Sequence, residues 1–361
     1  MLSANCIHKT NISQTRYQAK PKFDEGLYDL GHNLYAWLVP NGSWGESNAG
    51  LIVGQNASLL VDTLWDVHYT KIMLDTMTSI TANAPLTTVV NTHADGDHFW
   101  GNELVADLDI ITSQASYEEM LTTKPESLVL FGRVGRIVKK LRLFGADKVG
   151  HWFQNMTAPY DFAGVTHTPA KRTFTGEMKL DIGGRDVHLI EVGPAHTHGD
   201  LMVYVPDAGT IYTADILFIG STPVMWAGPV ENWLAALDRI LDLPVTTIVP
   251  GHGPLTDKDG VRLVKSYWEF LAPAVRQQFD NGTPPAQAAQ NILLSPEFKK
   301  HPCANWDSPE RIMTSTHTFY RNFQNRQDHP QVPELLNIMR RQALLAHQLP
   351  DAQPQVMRLK K

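Results

Sequence analysis

The sequence predicts an α/β protein in which two sheets pack face to face with helices outside, interrupted by a helical insertion and followed by a helical C-terminal extension. Three observations lead there. Short apolar runs of strand type come in two batches, each followed by helix-patterned sequence, an order that a two-sheet sandwich satisfies. Of the 361 residues 43% are hydrophobic and 19% charged, enough to bury a large core. The chain carries 15 histidines, a high number for its length, and His93, His98, His196, His198 and His252 stand at the ends of apolar runs.

Residues 1–26 are polar and read as an N-terminal arm. Apolar runs at 34–39, 49–54 and 58–63 are punctuated by Gly, Asn and Gln, as β-hairpins are. A helix is expected over 66–79, a buried strand over 86–91 and a short one over 109–112. Residues 113–170 break the pattern and read as a helical insertion. It holds a mixed basic and apolar stretch with Arg133, Arg136, Lys139, Lys140 and Arg142, and aromatic residues at Trp152, Phe153, Tyr160 and Phe162. Strands resume at 178–180, 187–192, 201–205, 210–214 and 246–250. Before the last of them lies an amphipathic helix, 233–242, with Leu234, Leu237 and Leu241 on one face. Helical patterns then dominate at 261–279, 285–294, 308–325 and 332–349. The expected organisation is an arm (1–26), a body (27–258, insertion at about 113–170) and a helical extension (259–361).

Composition narrows the partners. Lys plus Arg is 31 against 37 for Asp plus Glu, a formal charge of -6, which argues against a nucleic-acid partner. The basic stretch of the insertion reads as a solvated helix face that also suits an anionic tail. No apolar run is long enough to span a bilayer, and residues 1–20 lack the apolar stretch of a secretory signal, so no membrane partner and a cytoplasmic location are expected. Two distant cysteines, Cys6 and Cys303, make neither a disulfide framework nor a Cys-rich zinc site. Oligomeric state is not readable: Leu335, Leu336, Ile338, Met339, Leu344 and Leu345 suit a core or a dimer face equally.

Chemistry concentrates in Thr92-His93-Ala94-Asp95-Gly96-Asp97-His98, immediately after an apolar strand. A loop leaving a strand can turn several of these side chains onto one point, and Gly96 lets the backbone bend between them. Imidazole and carboxylate are the usual ligands of zinc, iron and manganese. Three further signals each end an apolar run: Gly193-Pro194-Ala195-His196-Thr197-His198-Gly199-Asp200, Tyr212-Thr213-Ala214-Asp215 and Val249-Pro250-Gly251-His252-Gly253. Taken singly, His252 and Asp215 read as turn or cap residues, Asp95-Gly96-Asp97 as an Asx-turn, and either His196 or His198 as a core histidine. Four such motifs in series, each on a strand end, point to a metal site. His93, Asp95, Asp97, His98, His196, Asp215 and His252 are too many for one tetrahedral ion and suit two ions sharing a carboxylate.

This order resembles the metallo-β-lactamase superfamily: a His-x-His-x-Asp-His motif, a His before a Thr-like turn, a single Asp, and a His between glycines. The stretches 48–53 and 59–63 resemble the family's opening strands. The resemblance covers roughly 27–255 and leaves the C-terminal helices without a counterpart. It implies an αβ/βα sandwich. It also implies that His93, Asp95 and His196 hold one metal, that Asp97, His98 and His252 hold a second, and that Asp215 bridges. Thr92, Thr197 and Asp62 would fix imidazole tautomers. The implied cofactors are two divalent ions, Zn2+ foremost.

Asp95 stands where the family usually has His. An anionic oxygen ligand shifts preference toward harder metals and admits Fe or Mn. The flavo-diiron branch also has a carboxylate here, but its flavodoxin-like domain has no match in the helical C-terminus. Alkyl sulfatases resemble the chain in length and helical C-terminus, with His at this position. The expected function is therefore a dinuclear metal-dependent hydrolase. Its metal-bound hydroxide, oriented by Asp97, would attack an ester, thioester, lactone or amide/β-lactam bond; diiron oxygen chemistry at the same site is the alternative. Phe131, Phe144, Trp152 and Phe153 of the insertion read either as glue that fixes it to the body or as an apolar lid over a small-molecule substrate with an apolar part, and Trp226 as a residue that would line the same pocket.

Overall fold

The computed structural model describes residues 4–141, 145–326 and 328–354. The first half runs β1 (Asn5–Lys9), β2 (Gly26–Asp29), β3 (Leu34–Leu38), β4 (Ala49–Val53), β5 (Ser58–Val61), α1 (Val67–Thr81), β6 (Leu86–Val90), α2 (Gly96–Phe99), β7 (Asp109–Ser113), α3 (Gln114–Met120), α4 (Pro125–Val138), α5 (Ala146–Thr157) and β8 (Arg172–Phe174). The second half adds β9 (Glu177–Asp181), β10 (Asp186–Glu191), β11 (Leu201–Val205), β12 (Thr210–Phe218), α6 (Val230–Asp242) and β13 (Thr247–His252). The chain then turns helical in α7 (Lys258–Asp280), α8 (Pro285–Leu294), α9 (Pro296–Lys300), α10 (Ile312–Phe323) and α11 (Val332–Ala346). An eight-stranded sheet ordered β1 to β8 faces a five-stranded sheet ordered β13-β12-β11-β10-β9.

Both faces of each sheet are covered, which is why the strands read as continuous apolar runs. Leu34, Ala36 and Leu38 of β3 point between the sheets to meet Leu189, Val203 and Val249, while Trp37 points to the helical layer. Met202 and Tyr204 of β11 likewise face outward, in the cluster that holds Trp233 and Leu237 of α6. The buried face of α6 centres on Trp233, Leu237 and Ile240 rather than on Leu234 and Leu241, which are only partly buried. Trp233 takes that face because its indole nitrogen donates to the Ile216 carbonyl at 3.0 Å.

The first residues are not a loose arm. β1 pairs antiparallel with β2 at the sheet edge. Arg16 and Glu25 form a buried ion pair at 2.7 Å, and the Tyr17 hydroxyl lies 2.8 Å from the Trp44 carbonyl and 2.9 Å from that of Met156. β1 hides from a pattern search because only one of its five side chains is even partly buried.

The C-terminal helices share one hydrophobic core with the body, running from Tyr17 to Ala352. Of the α11 residues, Ile338, Met339 and Leu345 are buried and Leu336 is exposed. Buried Glu310 sits just before α10, with one carboxylate oxygen accepting from the Gln353 amide and the other without a hydrogen-bond partner. Burial pushes its carboxyl up to about 8, against the pull of Arg311. A carboxyl raised on folding binds its proton more tightly in the native state, so stability is greatest below its unfolded value near 4.5 and falls as pH rises toward 8. Glu310→Gln is expected to flatten the fall in unfolding free energy between pH 5 and 8 by a few kcal/mol, at roughly 1.4 kcal/mol per pH unit. Denaturant titrations of both proteins across that range check it; parallel curves would refute it.

Candidate metal centre

Every element that carries a candidate ligand ends at one edge of the sandwich. The loop after β6 carries His93 and Asp95, and α2 carries Asp97 and His98. The β10–β11 connection carries His196, β12 carries Asp215, and β13 ends on His252. Asp215 sits in the middle. Its carboxylate lies 3.2 Å from Nε2 of His98, 3.3 Å from those of His196 and His252, and 3.8 Å from that of His93. His93, His196 and Asp215 form one group with ligand atoms within 4.8 Å of one another, and Asp97, His98 and His252 form a second.

The four imidazoles are held from behind. Nδ1 of His196 donates to the Val224 carbonyl at 2.7 Å and Nδ1 of His252 to the Glu46 carbonyl at 3.0 Å. Nδ1 of His98 lies 2.9 Å from Asp62 Oδ2. The Thr92 hydroxyl spends its proton on the same Asp62 oxygen at 2.7 Å, so it accepts from Nδ1 of His93 at 3.1 Å. With every Nδ1 committed as donor, each imidazole in its neutral form presents the Nε2 lone pair to the centre, the tautomer that metal binding requires. Asp62 does this from a left-handed backbone, φ 61, and Ala214 beside Asp215 is also left-handed at φ 46. For side chains with a Cβ that conformation costs about 1–2 kcal/mol, the kind of local strain found where geometry is over-determined by function.

The residues fit a metal. Nε2 of His93, Nε2 of His98 and Oδ1 of Asp215 are buried without a hydrogen-bond partner, a costly condition that cations in the two groups would relieve. A Cβ added at Gly251 would stand 2.0 Å from Asp215 Oδ1, so only glycine leaves room for the carboxylate there. Burial opposes ionisation of Asp215, but His252, His98 and His196 outweigh it and hold its carboxyl well below the usual range. Burial likewise opposes charge on His196, and Asp215 with Asp95 lifts it to about 9. Three carboxylates thus face four imidazoles across ion-pair distances, a donor set that suits cations wherever the imidazoles are neutral.

Asp95 stands apart from the other six. Its side chain is 34% exposed, and Oδ2 lies 3.1 Å from His196 Nε2 while accepting from the Trp226 indole at 3.1 Å. Asp97 is buried, with Oδ2 3.5 Å from His252 Nε2. His198 faces away, its Nδ1 2.5 Å from Glu119 Oε1. Thr197 fixes no imidazole: its amide and hydroxyl bond Asp200. The aromatics of the insertion are cement rather than an open lid. Trp152 is fully buried edge-on against Trp44, and Phe131 stacks on Phe153; Phe144 and Arg142 lie outside the described residues. The partly exposed Trp226 ring stands beside Asp95, and the partly exposed Trp44 ring lies 6.3 Å from the Trp226 ring, centroid to centroid. Trp44, the Phe218 ring stacked flat on His252 at 4.9 Å, and the carbonyls of Glu46 and Val224 were not legible from the sequence. A carbonyl partner leaves no trace in residue type.

An αβ/βα sandwich with paired His/Asp groups at its strand ends defines a class of metal-binding proteins. The chain belongs to the metallo-β-lactamase superfamily, whose family model matches residues 42–252. It is 24% identical over 208 residues to the alpha subunit of 2,4-dinitroanisole O-demethylase from Nocardioides sp. (strain JS1661), covering 56% of this chain and 51% of that protein. It is 28% identical over 136 residues to hydroxyacylglutathione hydrolase from Synechococcus sp. (strain JA-3-3Ab), covering 35% of this chain and 50% of that one. The chain thus spans about half the length of these curated relatives. Among solved structures, the stereoselective inverting sec-alkylsulfatase Pisa1 from Pseudomonas sp. superposes with a TM-score of 0.61 at 15% identity, over 89% of this chain and 53% of that one, a likeness of fold.

Proposed function

We propose that the protein is a dinuclear metal-dependent hydrolase that cleaves a carbonyl-type bond, in an ester, thioester, lactone or amide, of a small molecule with an apolar or aromatic part. The observation that carries this reading is the convergence of four Nδ1-anchored imidazoles on Asp215. His93, His196 and Asp215, with Asp95 at the rim, would hold one ion; Asp97, His98 and His252 would hold the other, with Asp215 shared. Two such cations supply Lewis acidity and lower the pKa of water. Asp97, 3.5 Å from His252 Nε2, would orient the attacking water and accept its proton. Trp44 and Trp226 offer an apolar wall, and the aromatic ether named in the O-demethylase relative supports a ring-bearing substrate.

Elemental mass spectrometry on the purified protein, followed by an ester, thioester, lactone and β-lactam panel, tests the reading. The expected result is two divalent ions per chain, zinc foremost, with turnover lost to chelator and restored by zinc. Mostly iron would favour oxygen chemistry, which the oxygen ligand at Asp95 suits; no metal after reconstitution would overturn the proposal. Asp95→His is expected to shift the Zn2+ over Mn2+ preference on the order of tenfold toward zinc, since imidazole is the softer ligand. Competition titration with both ions measures it.

A further inference from the structure

Among the described residues ten large apolar side chains stand exposed, and four lie within one stretch: Leu130 (59%), Val134 (44%), Ile137 (67%) and Leu141 (51%). Their spacing of four, three and four places Leu130, Val134 and Ile137 in one line along α4, and Leu141 continues that line just past its end. This is not the face that holds the helix to the protein. α4 packs on α5 through its other side, where Phe131 stacks on Phe153 at 5.4 Å. There, small residues let the helices touch: a Cβ at Gly150 would stand 2.2 Å from the Lys139 amide. The apolar line is therefore a second face, turned to solvent.

The charges beside it have one sign. Arg133, Arg136 and Lys140 are exposed and Lys139 is half-buried, whereas the one acidic residue of the helix, Glu126, sits in its first turn. In a chain of net charge -6 this is a local inversion. An apolar stripe flanked by Arg and Lys is the pattern of a helix lying in a membrane interface, with the cationic heads reaching for lipid phosphates. We propose that α4 seats the protein peripherally on an anionic lipid surface. Leu130, Val134, Ile137 and Leu141 would enter the headgroup–acyl boundary, while Arg133, Arg136 and Lys140 would contact phosphate. A second copy suits the face less well, because a two-fold contact sets the same basic ridge against itself. No helix among the described residues is long and apolar enough to cross a membrane, so the contact is one of docking.

Co-sedimentation of the full chain with vesicles of phosphatidylglycerol mixed with phosphatidylcholine, against vesicles of phosphatidylcholine alone, tests this. Binding is expected to the mixed vesicles only, weakening about tenfold when salt is raised enough to shorten the screening length to about 3 Å. Ile137→Glu with Leu130→Glu should abolish binding while leaving circular dichroism and metal content unchanged, since both side chains are exposed. Arg133→Glu with Arg136→Glu should remove the preference for phosphatidylglycerol. Three outcomes overturn the proposal: no binding to the mixed vesicles, binding indifferent to Ile137→Glu, or a wild-type dimer in sedimentation that Ile137→Glu splits into monomers.

Discussion

Asp215→Asn is expected to weaken binding of both metal ions about 10²- to 10³-fold, more than any other single change in the centre. Among the described residues no other side chain lies within 4 Å of all four Nε2 atoms, at 3.2, 3.3, 3.3 and 3.8 Å. Asparagine keeps the shape but removes the negative charge and replaces one acceptor oxygen with a donor. Removing one partner of a buried ionic group costs about 3–5 kcal/mol, and about 1.4 kcal/mol is a factor of ten in affinity. Titration of the apo-protein against a chromophoric competitor resolves the two ions. Asp95→Asn is the internal comparison. Of the four imidazoles Asp95 lies beside His196 alone, and it is a third exposed, so its loss should weaken one ion alone and by less. If Asp215→Asn retained two ions at wild-type affinity, Asp215 would not be the shared ligand, and the grouping of the six other residues would need to be redrawn.

The sequence carried this centre because metal chemistry is written in residue type. His93, Asp95, Asp97, His98, His196, Asp215 and His252 all come together at one edge, since each lies within or after a largely buried strand, and such strands announce themselves as apolar runs. What was lost is what residue type does not record. β1 is an edge strand with a polar, exposed pattern and resembles an arm. The carbonyls of Glu46 and Val224 orient His252 and His196 through backbone atoms. Thr197 looked like a partner of His196 by proximity in sequence, yet Asp200 is within closer reach of its hydroxyl, at 2.6 Å. The aromatics of the insertion have the composition of a lid, but Trp152 is spent on packing against Trp44. The extension also reaches further into the body than its helical periodicity shows. Arg311, just before α10, lies 4.7 Å over the Trp44 ring and 5.5 Å over Phe218, which backs His252.

The behaviour of Asp62→Asn should separate orientation from simple ligation. Asp62 touches no candidate metal position. Its Oδ1 accepts the Thr92 amide at 2.7 Å, and its Oδ2 accepts both the Thr92 hydroxyl at 2.7 Å and Nδ1 of His98 at 2.9 Å. In asparagine the oxygen can still serve the Thr92 amide, which leaves the NH2 facing Thr92 and His98. Two donors then oppose each other at His98 Nδ1, and the imidazole relieves the clash by moving its proton to Nε2, the atom that must stay bare to bind a cation. The Thr92 hydroxyl is released at the same time and loses its obligation to accept from His93. Asparagine tolerates the left-handed backbone at this position, φ 61, better than most residues, so the fold should survive. The expected result is a 10- to 100-fold loss of metal affinity, the usual cost of losing an outer partner, greater for the ion held by His98 than for the other. Nitrogen NMR shifts of the apo-protein, followed at alkaline pH where the imidazoles are neutral, should show His98 changing from the Nδ1–H to the Nε2–H tautomer while His196 and His252, anchored on carbonyls, keep theirs. A protein that bound both ions normally with His98 unchanged would mean that Asp62 supports only the β5–β6 edge, and that the tautomers are set elsewhere.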